Sequence, residues 1–372
     1  MRKVVLVVLL ALSMGVSTVE ACSVPVFRYA LERWPAGRYE VLLLHRGALG
    51  EDDAKLRDWL RACADGLDAR TNMDLLELDV DKETEGPYAK VIARHVEAPL
   101  PRLVVRFPAT YPVEDDVWAG PLDAADAQAL VDSPARRKIG LGILGGQAAV
   151  WLLLESGDKA KDDAAAALVS EQIAKLKDTL HLPELLPEDV LDGAEPPAEM
   201  KVDFSMVRVS RTDPAEKLLV AILLAYEPEL KRGSEPMLFP VIGQGLVLPP
   251  LIGKGISRSN VSDAATFIVG ECSCWAKEQI RGLDLLMSVD WMALPDGQWV
   301  KPIEPPPLSA APAPATIEKV GVARGDEDPS DTGQPQRWGL FSISLAALAG
   351  VGILTVVIAS VLISRRASRG EG

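Results

Sequence analysis

Residues 148–180, AAVWLLLESGDKAKDDAAAALVSEQIAKLKDTL, change their hydrophobic period part of the way along. Residues 148–154 are a continuous apolar run, which is typical of a buried strand. Ser156-Gly157-Asp158 then supplies a turn and a good helix cap. Beyond it, one apolar stripe at helical spacing predicts a helix at 159–180: Ala165, Val169, Ile173, Leu176 and Leu180. A buried strand followed at once by such a helix is typical of α/β proteins.

Three earlier apolar runs resemble the one at 148–154. They are YEVLLLH at 39–45, LLELDV at 75–80 and PRLVVRF at 101–107, and a helical pattern at 53–64 follows the first of them. Continuous apolar runs indicate strands that are buried on both faces. The four runs therefore predict one mostly parallel sheet, in a first α/β domain at 22–182.

A proline-rich break at 183–200 separates a second pattern of the same kind. The sequence Asp213-Pro214-Ala215-Glu216 combines a cap, a first-turn proline and a helix-starting glutamate, and it predicts a helix at 215–226. Apolar runs predict strands around this helix, at 201–209, 236–243, 265–270 and 283–291. Two consecutive α/β domains, at 22–182 and 201–300, are the fold class that we expect.

The first domain resembles a thioredoxin-type fold. The resemblance rests on an apolar strand, a helix that carries Cys63, and a proline directly before a later strand. It does not extend to a redox site: Cys22-Ser23-Val24-Pro25 precedes the first strand, and no CxxC begins a helix. A shared fold alone supports no redox activity.

Both ends of the chain predict attachment to a membrane. Residues 339–363 carry no charge and, at about 1.5 Å per residue, form a helix of roughly 37 Å, enough to cross a bilayer. Arginines at 365, 366 and 369 follow, so a transmembrane helix at 338–364 should leave residues 365–372 in the cytoplasm. Basic residues 2 and 3, an apolar stretch at 4–16 and small residues at 19 and 21 predict a cleaved signal peptide at 1–21.

The predicted topology is a single pass through the cell inner membrane, with the N-terminal part outside the cytoplasm. Residues 301–337 are rich in proline, alanine and charge, and they predict a disordered tether. A formal net charge of −14 disfavours nucleic acid as a partner. Lipoprotein processing at Cys22 is the alternative to ordinary cleavage, although Glu20 is unusual for that signal.

Three segments carry a resemblance to a known family: CSVPVFRYALERW at 22–34, PMLFPVIGQG at 236–245, and VGECSCWAKEQIRGLDLLMSVDW at 269–291. Together with the terminal helix, they resemble a family of uncharacterised exported, membrane-anchored proteins from bacteria of planctomycete type. The resemblance covers nearly the whole chain and implies the architecture described above. It implies no activity and no catalytic residue.

The four cysteines are the main candidates for chemistry. They are Cys22, Cys63, Cys272 and Cys274, an even number in an exported chain, and three disulfide pairings are open. Cys272 and Cys274 would close only a small, strained and easily reduced ring, and they follow the predicted strand at 265–270. Three interpretations remain: structural or inert thiols, a thiol–disulfide catalytic pair at Cys272 and Cys274, or a site for a thiophilic metal such as Cu(I).

The other motifs in the sequence indicate no specific activity. Histidine occurs at 45, 95 and 181 alone, which disfavours a histidine-based zinc enzyme, and Leu248 interrupts the glycine pattern of a phosphate loop around Gly253-Lys254-Gly255. We expect no cofactor. The sequence favours a non-enzymatic binding or assembly module that serves a membrane or envelope protein complex. Thiol–disulfide exchange or metal handling by Cys272 and Cys274 is the alternative.

Overall fold

The computed structural model describes residues 23–65, 71–111, 113–184, 202–225, 227–272 and 282–291. The elements of the first half follow this order: α1 (Val26–Arg33), β1 (Tyr39–His45), α2 (Glu51–Asp65), β2 (Met73–Asp79), α3 (Ala89–His95), β3 (Arg102–Arg106), β4 (Asp116–Pro121), α4 (Ala124–Val131) and α5 (Pro134–Leu144). The second half continues with β5 (Ala149–Leu154), α6 (Lys159–Thr179), β6 (Phe204–Val209), α7 (Lys217–Ala225), α8 (Pro228–Arg232), β7 (Met237–Ile242), β8 (Leu246–Val247), β9 (Leu251–Ile252), α9 (Arg258–Val269) and β10 (Leu283–Asp284).

The first sheet has the order β2-β1-β3-β4. Strands β1 and β2 are parallel, whereas β3 runs antiparallel to both β1 and β4. Side chains along β1 alternate between the two faces of the sheet. Val41 packs on one face in a cluster with Trp59 of α2, and Leu42 packs on the other face in a cluster with Ile92 of α3. The sheet is therefore covered by helices on both faces.

The second sheet has the order β10-β8-β7-β5-β6, and β9 adds to β7. Its one parallel pair among the described residues is β5 with β6, while β7 runs antiparallel to β5 and β8. Trp151 of β5 packs on one face with Val169 of α6 and Ala265 of α9. Leu152, on the opposite face, belongs to the same core cluster as Val41 of the first sheet. The two sheets thus share a core.

The two sheets repeat one topology. We call β1 to α4 the first unit and β5 to α9 the second unit. Each unit runs strand, helix, strand, helix, strand, strand, helix, with α8 and β9 as additions in the second. The strand orders β2-β1-β3-β4 and β6-β5-β7-β8 also correspond, with the parallel pair at the same place.

Each of the two segments that flank the units packs on the unit that is farther from it in the sequence. Helix α1 precedes the first unit but packs on the second, where Phe27 and Ala30 join the cluster of Trp151. The segment after β10 follows the second unit but binds the first, because Asn72 N–H donates to Met287 O at 3.2 Å. A bridge between Thr71 and Ser288 continues this pairing. The second unit is thus completed by residues that precede the first unit, and the first unit by residues that follow the second.

The α/β class is confirmed, but several details of the prediction are wrong. Both sheets are mixed rather than mostly parallel, and 148–154 forms β5 of the second sheet instead of joining β1. Residues 265–270 lie at the end of helix α9, not in a strand, because Ser257 caps that helix by accepting from Asn260 N–H and Val261, Ala265 and Ile268 face inward at helical spacing. Of the strand predicted at 283–291, only β10 forms.

Several predictions fall outside the described residues: the signal peptide at 1–21, most of the linker at 183–200, the tether at 301–337 and the terminal apolar segment at 338–364. Within the described ranges, no helix combines the length and apolar character that crossing a membrane requires.

Candidate functional site

Open α/β sheets bind ligands beside the carboxyl ends of their parallel strands, where strand–helix loops meet. Each unit has one such loop after its first strand. We call residues 46–50, between β1 and α2, loop 1, and residues 155–158, between β5 and α6, loop 2. The repeat places these loops at corresponding positions, so their differences are informative.

Loop 2 is filled by a side chain of its own unit. Asp162, in the first turn of α6, is 3% exposed. Its Oδ1 accepts from the backbone N–H of Ser156 at 2.7 Å and from the Ser156 hydroxyl at 2.8 Å, while Oδ2 accepts from Gly157 N–H at 3.0 Å. Backbone N–H groups at such a helix start ordinarily attract anions. Here the protein's own carboxylate takes that position.

Arg211 closes loop 2 from the other side. Its Nε donates to Glu155 O at 3.0 Å, Nη1 to Gly233 O at 2.7 Å and Nη2 to Glu235 O at 3.0 Å. One guanidinium therefore joins the end of β5 to the segment that leads into β7. These three bonds make loop 2 a structural joint between β5 and the start of β7.

Loop 1 is open by comparison. Arg46, Gly47, Ala48 and Gly50 are exposed. Gly47 has φ +64°, and a Cβ built on it would meet no atom within 4 Å. The left-handed backbone explains the glycine. Gly157 in loop 2 has equally open surroundings, so the difference between the loops lies in the exposed residues of loop 1 and the buried Asp162 of loop 2.

Charges of both signs surround loop 1. Arg46 Nε lies 3.2 Å from Asp81 Oδ1, and Lys82 Nζ lies 2.9 Å from Asp79 Oδ2. The hydrogen bond from Lys82 lowers the pKa of Asp79, so that carboxylate is ionised at neutral pH. Both ion pairs form within this chain, and Arg46, Asp81 and Lys82 are exposed to solvent.

His45 lies at the base of loop 1, as the last residue of β1. Its Nδ1 contacts Gly47 O at 2.7 Å, which orients the ring, and its Nε2 lies 3.6 Å from Glu77 Oε1. Arg61 holds the same glutamate at 2.9 Å. His45 was expected only as one of three histidines. The signal that could have placed it is its position between a buried strand and a glycine turn.

Cys63 lies in helix α2 and packs in the shared core. Burial raises the pKa of Cys63 to about 11, so the thiol is protonated at neutral pH and is a poor nucleophile. The predicted helix position of Cys63 is confirmed, and its surroundings are those of an inert core thiol.

Cys272 is also buried, at 1% exposure, in the cluster that contains Ala30 and Val269. It follows helix α9, so the prediction that it follows a strand is wrong. Its N–H donates to Val24 O at 2.8 Å. Cys274 lies outside the described residues, as does Cys22. The catalytic pair of Cys272 and Cys274 therefore stays a prediction.

A second charged cluster lies at the opposite end of the first sheet. His95 Nε2 contacts Asp116 Oδ2 at 2.9 Å, and Arg94 Nη2 contacts Asp116 Oδ1 at 2.7 Å. Arg106 Nη1 donates to Glu40 Oε2 at 2.5 Å. Asp116 begins β4. Because each acid here faces bases of this chain, the cluster fastens α3 to the sheet.

Among the residues that the structure describes, no three His, Cys, Asp or Glu side chains are placed so that they could hold a metal ion. Comparisons with known proteins gave no match to a family model, a curated protein or a solved structure.

Proposed function

We propose that this chain is a membrane-tethered binding or assembly module outside the cytoplasm, and that loop 1 is its binding face. In this proposal, residues 1–21 direct export, residues 339–363 anchor the chain in the inner membrane with a single pass, and residues 301–337 hold the folded part away from the bilayer. The partner is a membrane or envelope protein.

The repeated topology supports a finer assignment, in which both units have a thioredoxin-type fold. In that fold, the redox CxxC begins the helix that follows the first strand of the unit. The corresponding residues here are RGALG at loop 1 and ESGD at loop 2, and neither contains a cysteine. Two thioredoxin-type units without thiols at the redox position favour binding over catalysis.

The difference between the loops is the observation that carries the proposal. Asp162, which is 3% exposed, fills loop 2 with a buried carboxylate, whereas residues 46, 47, 48 and 50 of loop 1 are exposed. Arg46 and Asp81 give loop 1 exposed charges of both signs. Such charges select a partner with the complementary arrangement and affect association more than they affect folding.

Site-specific photo-crosslinking tests the proposal in intact membranes of the source cells. A photoreactive residue at Ala48, in loop 1, is compared with one at Ala174, an exposed alanine on α6. We expect one adduct of defined mass from position 48, none from position 174, and loss of the adduct when Arg46→Glu is added. Equal adducts from both positions, or none from position 48, would contradict the proposed face. Disulfide exchange by the purified chain that Cys272→Ser abolishes would favour the oxidoreductase instead.

A further inference from the structure

The backbone of loop 1 is held by a histidine. His45 Nδ1 lies 2.7 Å from Gly47 O, and a carbonyl oxygen can only accept, so the ring nitrogen is the donor. The carbonyl belongs to the residue whose φ is +64°. On its other side, Gly47 N–H donates to Asp79 Oδ1 at 3.5 Å. The turn at Gly47 is thus fixed by two side chains that can carry charge.

The second ring nitrogen of His45 also faces an acceptor. Nε2 lies 3.6 Å from Glu77 Oε1, which is an ion-pair distance. A neutral imidazole has one N–H, so it can donate either to Gly47 O or toward Glu77, and its other nitrogen then presents a lone pair to oxygen. The imidazolium has an N–H on both nitrogens. Only the protonated ring therefore satisfies both of its neighbours.

Glu77 is held in place by cations of α2. Arg61 Nη2 lies 2.9 Å from Glu77 Oε2, and Arg57 Nη1 lies 3.4 Å from Glu77 Oε1. Both guanidinium groups stay charged at every pH at which proteins are folded. The carboxylate that faces His45 is therefore fixed by the scaffold, and the ring must adjust to it.

The other charged groups around His45 keep their charge or face elsewhere. Asp79 is opposite His45 on β2, and the hydrogen bond from Lys82 lowers its pKa. Histidine is the side chain whose ordinary titration falls between about pH 5 and 8. Further charged side chains of loop 1, α2 and β3 are paired with one another, lie beside Gly50 or lie on the other face of the sheet: Arg46 with Asp81, Lys55 with Glu51 and Asp52, Asp53 beside Gly50, and Arg102 opposite Leu44.

We propose that His45 is a pH-sensitive switch that controls loop 1, the binding face of the proposed function on which this inference rests. In acid, the protonated ring joins Gly47 O to Glu77 and holds loop 1 in its described conformation. As the pH rises, one ring nitrogen gives its proton to solvent and one of the two contacts is lost. Loop 1 then opens more often, so binding is strongest in acid and weakens between about pH 5 and 8.

Backbone hydrogen exchange of the full-length chain in detergent, measured by mass spectrometry, tests the switch. His45→Gln has no charge at any pH, and the ratio of its exchange rate to that of the native chain removes the intrinsic effect of pH on amide exchange. A charged donor strengthens a hydrogen bond enough to slow local opening by about five- to tenfold. We expect the amides of loop 1 to exchange more slowly in the native chain by that factor at about pH 5, with no difference at about pH 8.

Two further variants make the exchange result specific. His95→Gln changes the histidine at the opposite end of the first sheet, and it should leave the exchange of loop 1 as in the native chain. Glu77→Gln keeps His45 but removes the carboxylate, so it should reduce the change in loop 1 between the two pH values. Equal protection at both pH values in the native chain, or the same loss of pH dependence in His95→Gln, would overturn the switch.

Crosslinking from position 48 separates the switch from the proposed function. The adduct yield should be several-fold higher at about pH 5 than at about pH 8 in the native chain and independent of pH in His45→Gln. If the exchange of loop 1 follows pH but position 48 gives no adduct at either pH, the binding face is wrong and the switch stands. If the adduct forms equally at both pH values in the native chain, the switch does not control binding and the inference fails.

Discussion

Replacing Gly243 with alanine should destabilise the protein by lifting α1 away from the second sheet. Gly243 lies in the turn between β7 and β8 at φ +55°, and a Cβ there would be 2.7 Å from Ala30 Cβ and 2.8 Å from Ala30 C. A left-handed backbone costs a residue with a side chain about 1 to 2 kcal/mol. Overpacking against the helix adds about 1 to 3 kcal/mol. The free energy of unfolding should therefore fall by about 2 to 5 kcal/mol.

Gly47→Ala is the matched control, because Gly47 has φ +64° but open space where its Cβ would lie. It should cost only the backbone contribution of about 1 to 2 kcal/mol. Urea unfolding of the full-length chain measures both variants, and a shift in midpoint at constant slope reports a change in stability. The additional loss of unfolding free energy in Gly243→Ala, compared with Gly47→Ala, measures how closely α1 packs on this turn. Equal losses in the two variants would refute that packing.

Two further predictions concern pH and topology. Burial raises the pKa of Glu216, so the folded state holds that proton more tightly than the unfolded state and stability falls as pH rises above the usual glutamate range. Glu216→Gln does not titrate, so its thermal destabilisation relative to the native chain should be smaller at about pH 7 than at about pH 4; a difference that does not change with pH would contradict this. A reporter fused after Gly372 should be cytoplasmic and one fused at Arg337 should not, and Val351→Arg should weaken insertion by about 2.5 to 3.5 kcal/mol. The opposite reporter result would reverse the predicted orientation.

Local patterns predicted the elements with a strong period. β1 forms at the predicted residues, and α6 begins at Lys159 as its aspartate cap indicates. β4 was missed because it follows a run of acids and begins with Asp116, which resembles a loop. The run at 265–270 contains β-branched residues that favour a strand, but the cap at Ser257 and the packing of α9 on the second sheet decide for a helix. The run at 148–154 could not reveal its sheet, since an apolar run does not encode its partners.

The candidate site was harder to predict from the sequence than the fold. Ser156, Gly157 and Asp158 were predicted as a turn and cap, but the filling of loop 2 depends on Asp162, whose reach back to the loop appears only once the turn is folded. The burial of Cys272 depends on α1, which lies far earlier in the chain. Contacts over such separations leave no periodic signal.

The exchange of end segments has a consequence for how the chain is made. Asn72 is hydrogen-bonded to Met287, so the first unit is incomplete when synthesis has passed only its own strands. The segment that completes the second unit, with Val24 bonded to Cys272, is made before that unit. Domains usually fold in order as they emerge, whereas contacts over long separations form late and slowly. The growing chain therefore stays incompletely folded until residues near 287 have been made. This delay suits the export that we propose, because a transporter that passes extended polypeptide would then meet no folded domain before translocation.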